Sequence, residues 1–220
     1  MKKKAIITIL LPFLPFIYSC AYTPGGEIIK KGTHEVSISL GVPVYSSFPT
    51  VGVMITPFPA VGYKYGITDD LNLFVRNYPI FFYMGILFAD TGIVGRIYRF
   101  LPHLHLTGLL GTQVMAKLFE GIQFYGNTGL FLIIDGNDKS HFYIGGDIVI
   151  FPIRNSIDLN GNIKGGGKIK INENWGLALE VSLNSVGRTT FVNTGFQGIG
   201  FPTIYLGASY KFGNKEAKNE

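Results

Sequence analysis

One cysteine, Cys20, stands in the 220 residues, so no intrachain disulfide can hold the fold. Charge is also scarce: Asp, Glu, Lys and Arg make up 15% of the chain, against roughly 25% in soluble domains. Disorder is excluded as well, because it requires low hydrophobicity and high net charge, and 47% of these residues are hydrophobic. No apolar run reaches the about 20 residues of a membrane-crossing helix. The longest, Ala5 to Ile17, is interrupted by Pro12 and Pro15. Helical periodicity is hard to find after residue 20. The formal charge of +5 raises the question of an acidic partner, but three of the lysines are Lys2, Lys3 and Lys4.

Those lysines open an export signal. A positive start, the apolar run to Ile17 and a small residue beside a cut make the layout of a secretory signal over residues 1–19. Ile17-Tyr18-Ser19-Cys20 resembles a bacterial lipoprotein box, which implies that Cys20 becomes the first mature residue and carries lipid. It also accounts for the position of the only cysteine. The alternative is an ordinary cut in Ser19-Cys20-Ala21, leaving a chain that starts at Tyr22. Both readings export the protein. Without the signal, 16 Lys and Arg face 14 acids, and no basic stripe survives to support nucleic-acid binding. The expected organisation is a signal over 1–19, a lipid-anchored tether over 20–32, a β domain over 33–212 and a polar tail over 213–220.

What the body has in abundance is two-residue alternation punctuated by Gly, Asn and Asp. In one hairpin, Val61, Tyr63, Tyr65 and Ile67 share a face with Leu71, Leu73 and Val75 across Thr68-Asp69-Asp70. Its other face carries Gly62, Lys64, Gly66, Asn72, Phe74 and Arg76. A second hairpin turns at Asn172-Glu173-Asn174, with Ile163, Ile169, Ile171, Trp175, Leu177, Leu179 and Val181 on one face. Lys164, Lys168, Lys170 and Glu180 lie on the other. Its register sets Glu180 opposite Gly166, within reach of Lys164 and Lys168. Strands are expected at about 33–42, 55–67, 70–78, 91–101, 104–116, 122–134, 141–151, 160–171, 174–185 and 202–212. Ten is an even number, as single-chain bacterial barrels prefer, though eight or twelve strands also fit. The links after strands two, four and eight are short and those after one, three and nine long, the asymmetry of a membrane barrel. The apolar segment 79–89 resists the scheme: it could extend strand three, add a strand, or contact lipid or a partner.

Alternation suits two opposite barrels. A soluble barrel hides its apolar face inside, and a membrane barrel turns it outward to lipid. The polar faces here are rich in Gly, Ser and Ala and too poor in charge for a solvated exterior. They suit a narrow lumen holding Lys64, Arg76, Asp147, Lys164, Lys168 and Glu180 as ion-pair candidates. Tyr65, Tyr78, Tyr98, Phe100, Trp175, Tyr210 and Phe212 fall near strand ends, where an interfacial girdle would want them. The fold expected is all-β, an antiparallel up-and-down transmembrane β-barrel.

Tyr65-Gly66-Ile67-Thr68-Asp69-Asp70-Leu71-Asn72-Leu73 resembles the periplasmic hairpins of bacterial outer-membrane β-barrel proteins, and Tyr205 to Phe212 is similar to their aromatic-ended last strand. Eight residues follow Phe212, where that pattern normally ends the chain. The resemblance implies an outer-membrane location, outer-membrane lipid and the barrel-assembly machinery as partners, and both termini in the periplasm.

Little in the sequence carries chemistry. His103-Leu104-His105 has a spacing that can hold a metal, but no third ligand is evident. Ser140-His141 places adjacent side chains on opposite faces, and Thr107 is a poor stand-in for a hydrolase serine. Gly165-Gly166-Gly167 lacks the Lys-Ser/Thr and helix of a phosphate loop. No catalytic residue, metal or cofactor is expected. The reading is a non-catalytic structural, binding or narrow-pore barrel. A soluble periplasmic lipoprotein barrel binding an apolar ligand and a lipid-hydrolysing barrel are its alternatives.

Overall fold

The computed structural model describes residues 27–46, 53–55, 58–79, 82, 85–117, 121–136, 139–153, 156–186 and 201–213. The export signal, Cys20 and residues 214–220 lie outside them. The strands are β1 (Thr33–Ser46), β2 (Val53–Ile55), β3 (Phe58–Gly66), β4 (Leu71–Asn77), β5 (Ile86–Leu101), β6 (Leu104–Lys117), β7 (Gly121–Gly136), β8 (Ser140–Ile153), β9 (Ser156–Lys170), β10 (Trp175–Val186) and β11 (Phe201–Gly213). From β3 to β11 each strand pairs with the next in chain order, β3 pairs with β1, and β11 returns to β1. Ten strands therefore close into an antiparallel up-and-down barrel, with the short β2 paired only to the far end of β1. The closing seam runs from Thr33↔Gly213 to Pro43↔Thr203. β2 and β3 pair with β1 in one register and together correspond to the expected strand 55–67, residues 56–57 lying outside the described ones; the other nine fall where alternation puts them.

One end of the barrel is built from hairpins whose side chains bond their own backbone. The Asp70 N–H donates to Thr68 Oγ1 at 3.2 Å. The N–H groups of Asn174 and Trp175 donate to Asn172 Oδ1 at 2.9 and 2.8 Å. At the opposite end the links after β1, β4 and β10 are long, but only residues 118–120 and 154–155 follow β6 and β8. The asymmetry thus holds for three of five connections. Of the apolar segment 79–89, the structure describes residues 79, 82 and 85–89. Its end, Ile86 to Ala89, starts β5 and pairs with Val114 to Lys117 of β6, so it lengthens the fourth barrel strand and not the third.

Side-chain direction settles the orientation. Along β4, Asn72, Phe74 and Arg76 are buried while Leu73 and Val75 are exposed. The same rule holds around the wall. Ile38, Leu40, Ile93, Leu110, Leu130, Ile144, Ile163, Leu179, Val181, Ile204 and Leu206 all face out. Paired outward residues continue across the seam, as in Leu40↔Leu206 and Leu179↔Leu206, so the apolar surface forms one belt. At the hairpin end it meets an aromatic band. Trp175 lies 5.0 Å from Tyr210, and Phe212 stacks on His34 at 5.1 Å. Tyr78 is not part of this band: it is buried, its ring 4.8 Å from Phe88.

The lumen is tight enough that glycine positions matter. A Cβ on Gly145 would run into the Leu130 carbonyl and come within 2.6 Å of the Phe131 ring. Gly145 sits directly across from Phe131 in the β7–β8 register, so the missing side chain is what seats that ring. Gly145→Ala is expected to cost about 1–3 kcal/mol through overpacking. Gly165→Ala, whose methyl meets nothing closer than 3.8 Å, should be close to neutral. Urea midpoints in detergent micelles compare the two.

Candidate functional site: the barrel lumen

The lumen is stacked in layers from the hairpin end upward. The lowest is ionic, and its centre comes from outside the wall. Residues 27–32, expected to be part of the tether, run into the mouth of the barrel before β1 begins. Glu27 is buried there. Lys168 Nζ donates to Glu27 Oε2 at 2.8 Å, Lys211 Nζ donates to Oε1, and Lys64 Nζ donates to the Glu27 carbonyl at 3.1 Å. Asn72 Nδ2 donates to the same carbonyl at 3.3 Å. Glu35 of β1 shares the lysines, with Lys168 at 2.5 Å, Lys211 at 3.8 Å and Lys64 at 3.9 Å. The strap is pinned by backbone too. The Gly32 N–H donates to the Gly66 carbonyl at 2.8 Å, and Gly66 must lack a side chain because the Lys30 carbonyl occupies that space.

Burial by itself pushes the Glu27 carboxyl up. The Lys168 and Lys211 ammoniums, with His141 and Lys64 adding, overcome it and hold the group well below the usual carboxylate range.

Above the ionic layer is an apolar one. Phe74, Val94, Leu109, Phe131, Ile133 and Tyr143 pack together, and Ile28 of the strap rests against them. Other inner-face polar groups form pairs. Arg76 Nε donates to Asp90 Oδ1 at 2.9 Å, and a second guanidinium nitrogen donates to Oδ2. Asp147 receives Lys164 Nζ at 2.5 Å and Asn162 Nδ2 at 2.6 Å. The Tyr143 hydroxyl donates to Glu180 Oε2, and Asn184 Nδ2 donates to Thr203 Oγ1 at 2.7 Å. All six side chains singled out from the sequence are buried on the inner face: Lys64, Arg76, Asp147, Lys164, Lys168 and Glu180.

The histidines divide. His34 faces outward, its Nδ1 2.7 Å from the Tyr63 hydroxyl, and His103 is exposed in its turn. The lumen instead joins His105 and His141 through Asp135. His141 Nδ1 lies 2.6 Å from Asp135 Oδ1 and His105 Nδ1 3.5 Å from Oδ2. A carboxylate between two imidazoles can hold or relay a proton. The nearby hydroxyls point to structural roles: Ser140 donates to the Gly136 carbonyl and Thr107 to the Phe131 carbonyl at 3.4 Å. Among the described residues no three His, Cys, Asp or Glu side chains are arranged to hold a metal ion.

Sequence reasoning missed Glu27, Asp90 and Asp135 as lumenal groups. The signals are uneven. Glu35 and Lys211 already alternate with the apolar faces of their strands, whereas Asp90 falls in the long link between the strands expected at 70–78 and 91–101. Glu27 precedes the first strand, where alternation says nothing.

No protein-family model matches the sequence, and no curated protein matches it. Solved structures do match. An outer membrane channel from Pseudomonas putida F1 aligns with a TM-score of 0.51 at 8% identity, over 87% of this chain and 100% of that one. The fold is that of the bacterial outer-membrane β-barrels. The translocator domain of the autotransporter NalP from Neisseria meningitidis aligns over 96% of this chain and 98% of its own, at 11% identity and a TM-score of 0.47. Ail, the attachment invasion locus protein of Yersinia pestis, aligns over 83% and 99%, at 12% identity and a TM-score of 0.37.

Two outcomes follow from the layers. Removing one member of a buried pair strands the other, so Asp147→Ala should cost about 3–5 kcal/mol, and the double change Asp147→Leu/Lys164→Met should recover most of it. Urea unfolding in micelles reads both. For Glu27, a folded value below the unfolded one means that its stabilisation is fully present above the ordinary carboxylate range and is lost as pH falls through the folded value. Glu27→Gln is therefore less stable than the parent at pH 7, and the gap should close as acid protonates the parent's carboxylate.

Proposed function

We propose that the protein is an outer-membrane barrel, held in addition by lipid on Cys20, that works without catalysis and with its lumen closed, as a structural or surface-binding element. The carrying observation is the packing of the inner face. Asn72, Glu180, Asn184 and Tyr205 are each 0% exposed, although all four point inward from three different strands. A water-filled pore would leave accessible surface on such side chains. A ten-strand barrel is narrow to begin with, and here large residues fill it.

The membrane reading is supported by the outward belt. Each large aliphatic side chain left in water forgoes roughly 1.5–3 kcal/mol of burial, and the exposed ones cover every face of the wall. Lipid chains supply that burial. A soluble barrel carrying an apolar ligand needs the opposite arrangement, with charges outside and apolar residues lining a cavity. Outer-membrane lipid against the belt, and the barrel-assembly machinery during biogenesis, are the partners this reading requires.

Purified protein reconstituted into planar bilayers should show no stepwise conductance, while its gel mobility shifts on heating in detergent. Steady single-channel currents would overturn the closed lumen. A mature chain that stays soluble without detergent would overturn the membrane assignment.

A further inference from the structure

We propose that the hairpin-side mouth of the barrel is a carboxylate-binding socket, formed by Lys64, Lys168 and Lys211 and occupied in cis by Glu27. The three lysines come from β3, β9 and β11, and only the closed wall brings them together. Within the mouth, among the described residues, they face the carboxylates of Glu27 and Glu35. Glu35 belongs to the wall and is always present. Without Glu27, the buried Lys64 and Lys168 ammoniums and the part-buried one of Lys211 lose one of these carboxylates, and like charges in a low-dielectric space repel strongly. The site therefore favours an anion beside Glu35.

Glu27 fills that place as a bound ligand would. Each carboxylate oxygen has its own ammonium, from Lys168 and Lys211, and the peptide carbonyl behind it takes Lys64 and Asn72. The residues after it complete the seat: Ile28 rests on the apolar layer and Ile29 is buried. The ligand class is a carboxylate on a peptide, with an apolar residue following it. In the intact chain the strap fills the socket and fixes where the polypeptide from Cys20 enters the barrel, seven residues after that cysteine. This assignment stands apart from the conductance of the lumen and from lipidation.

Chemical rescue tests it. Glu27→Ala in the full chain deletes Cγ and the carboxylate, the atoms of one acetate ion. Unfolding midpoints in micelles are measured at constant ionic strength with sodium acetate or formate, against sodium chloride and acetamide. The variant should unfold at lower urea than the parent, and its midpoint should climb with the logarithm of acetate or formate concentration, as for any ligand that binds the folded state. Chloride and acetamide should leave it unmoved, and Glu27→Ala/Lys168→Ala should lose the rescue. If Glu27→Ala does not survive purification, the yield of refolding from urea into micelles, in formate against chloride, gives the same reading. Equal midpoints for parent and variant, or equal responses to formate and chloride, overturn the socket.

Discussion

Lipid offers no partner to a backbone N–H or C=O, so a sheet immersed in it must leave no edge. In this chain that demand falls on one seam, where Thr33 to Pro43 of β1 pair with Thr203 to Gly213 of β11. Closure inverts the usual arithmetic of burial. The apolar residues go outward because the solvent there is hydrocarbon, and the polar residues go inward because the wall shields them from it. The exposed Ile, Leu and Val of the belt, which would mark a failed soluble fold, are what the environment requires.

A closed wall of ten strands then creates a second problem, because the enclosed space is narrow and holds charges. Burying a lone ammonium or carboxylate costs several kcal/mol, and pairing offsets this only when geometry and hydrogen bonds are both good. The lumen meets the condition by local bookkeeping. Asp147 takes Lys164 and Asn162 from the adjacent strand, and Arg76 and Asp90 face each other across β4 and β5. Size is handled in the same local way. Phe131 lies opposite Gly145 and Tyr143 opposite Gly166, so a large ring projects where its neighbour contributes nothing.

This locality explains why so much of the fold was legible. Hairpin registers depend on residues a few positions from a turn, and Glu180 stands opposite Gly166 as the spacing around Asn172-Glu173-Asn174 implied. Alternation identified which side chains enter the lumen, because on a strand that question is settled by parity alone. It could not show which lumenal group meets which. Asp90 was hidden because Ile86 to Ala89 is apolar on both faces, without the polar residues that mark a strand's inner side. Tyr78 lies near a strand end, where a girdle residue is expected, yet parity continues through it and turns it inward, where its hydroxyl donates to Asp90 at 3.4 Å.

Glu27 was illegible for a different reason, and the reason bears on how the molecule assembles. Its partners Lys64, Lys168 and Lys211 lie 37, 141 and 184 residues further along the chain. Contacts so distant in sequence require most of the intervening chain to be ordered before they are gained. Lys211 is on the last strand, so the full set of donors does not exist until β11 has met β1. Glu27 and Glu35, eight residues apart, both bind Lys168 and Lys211, one from the strap and one from the seam strand. The ionic layer therefore sits where closure happens and rewards it: the wall brings the lysines together, and the strap supplies the charge that lets them stay.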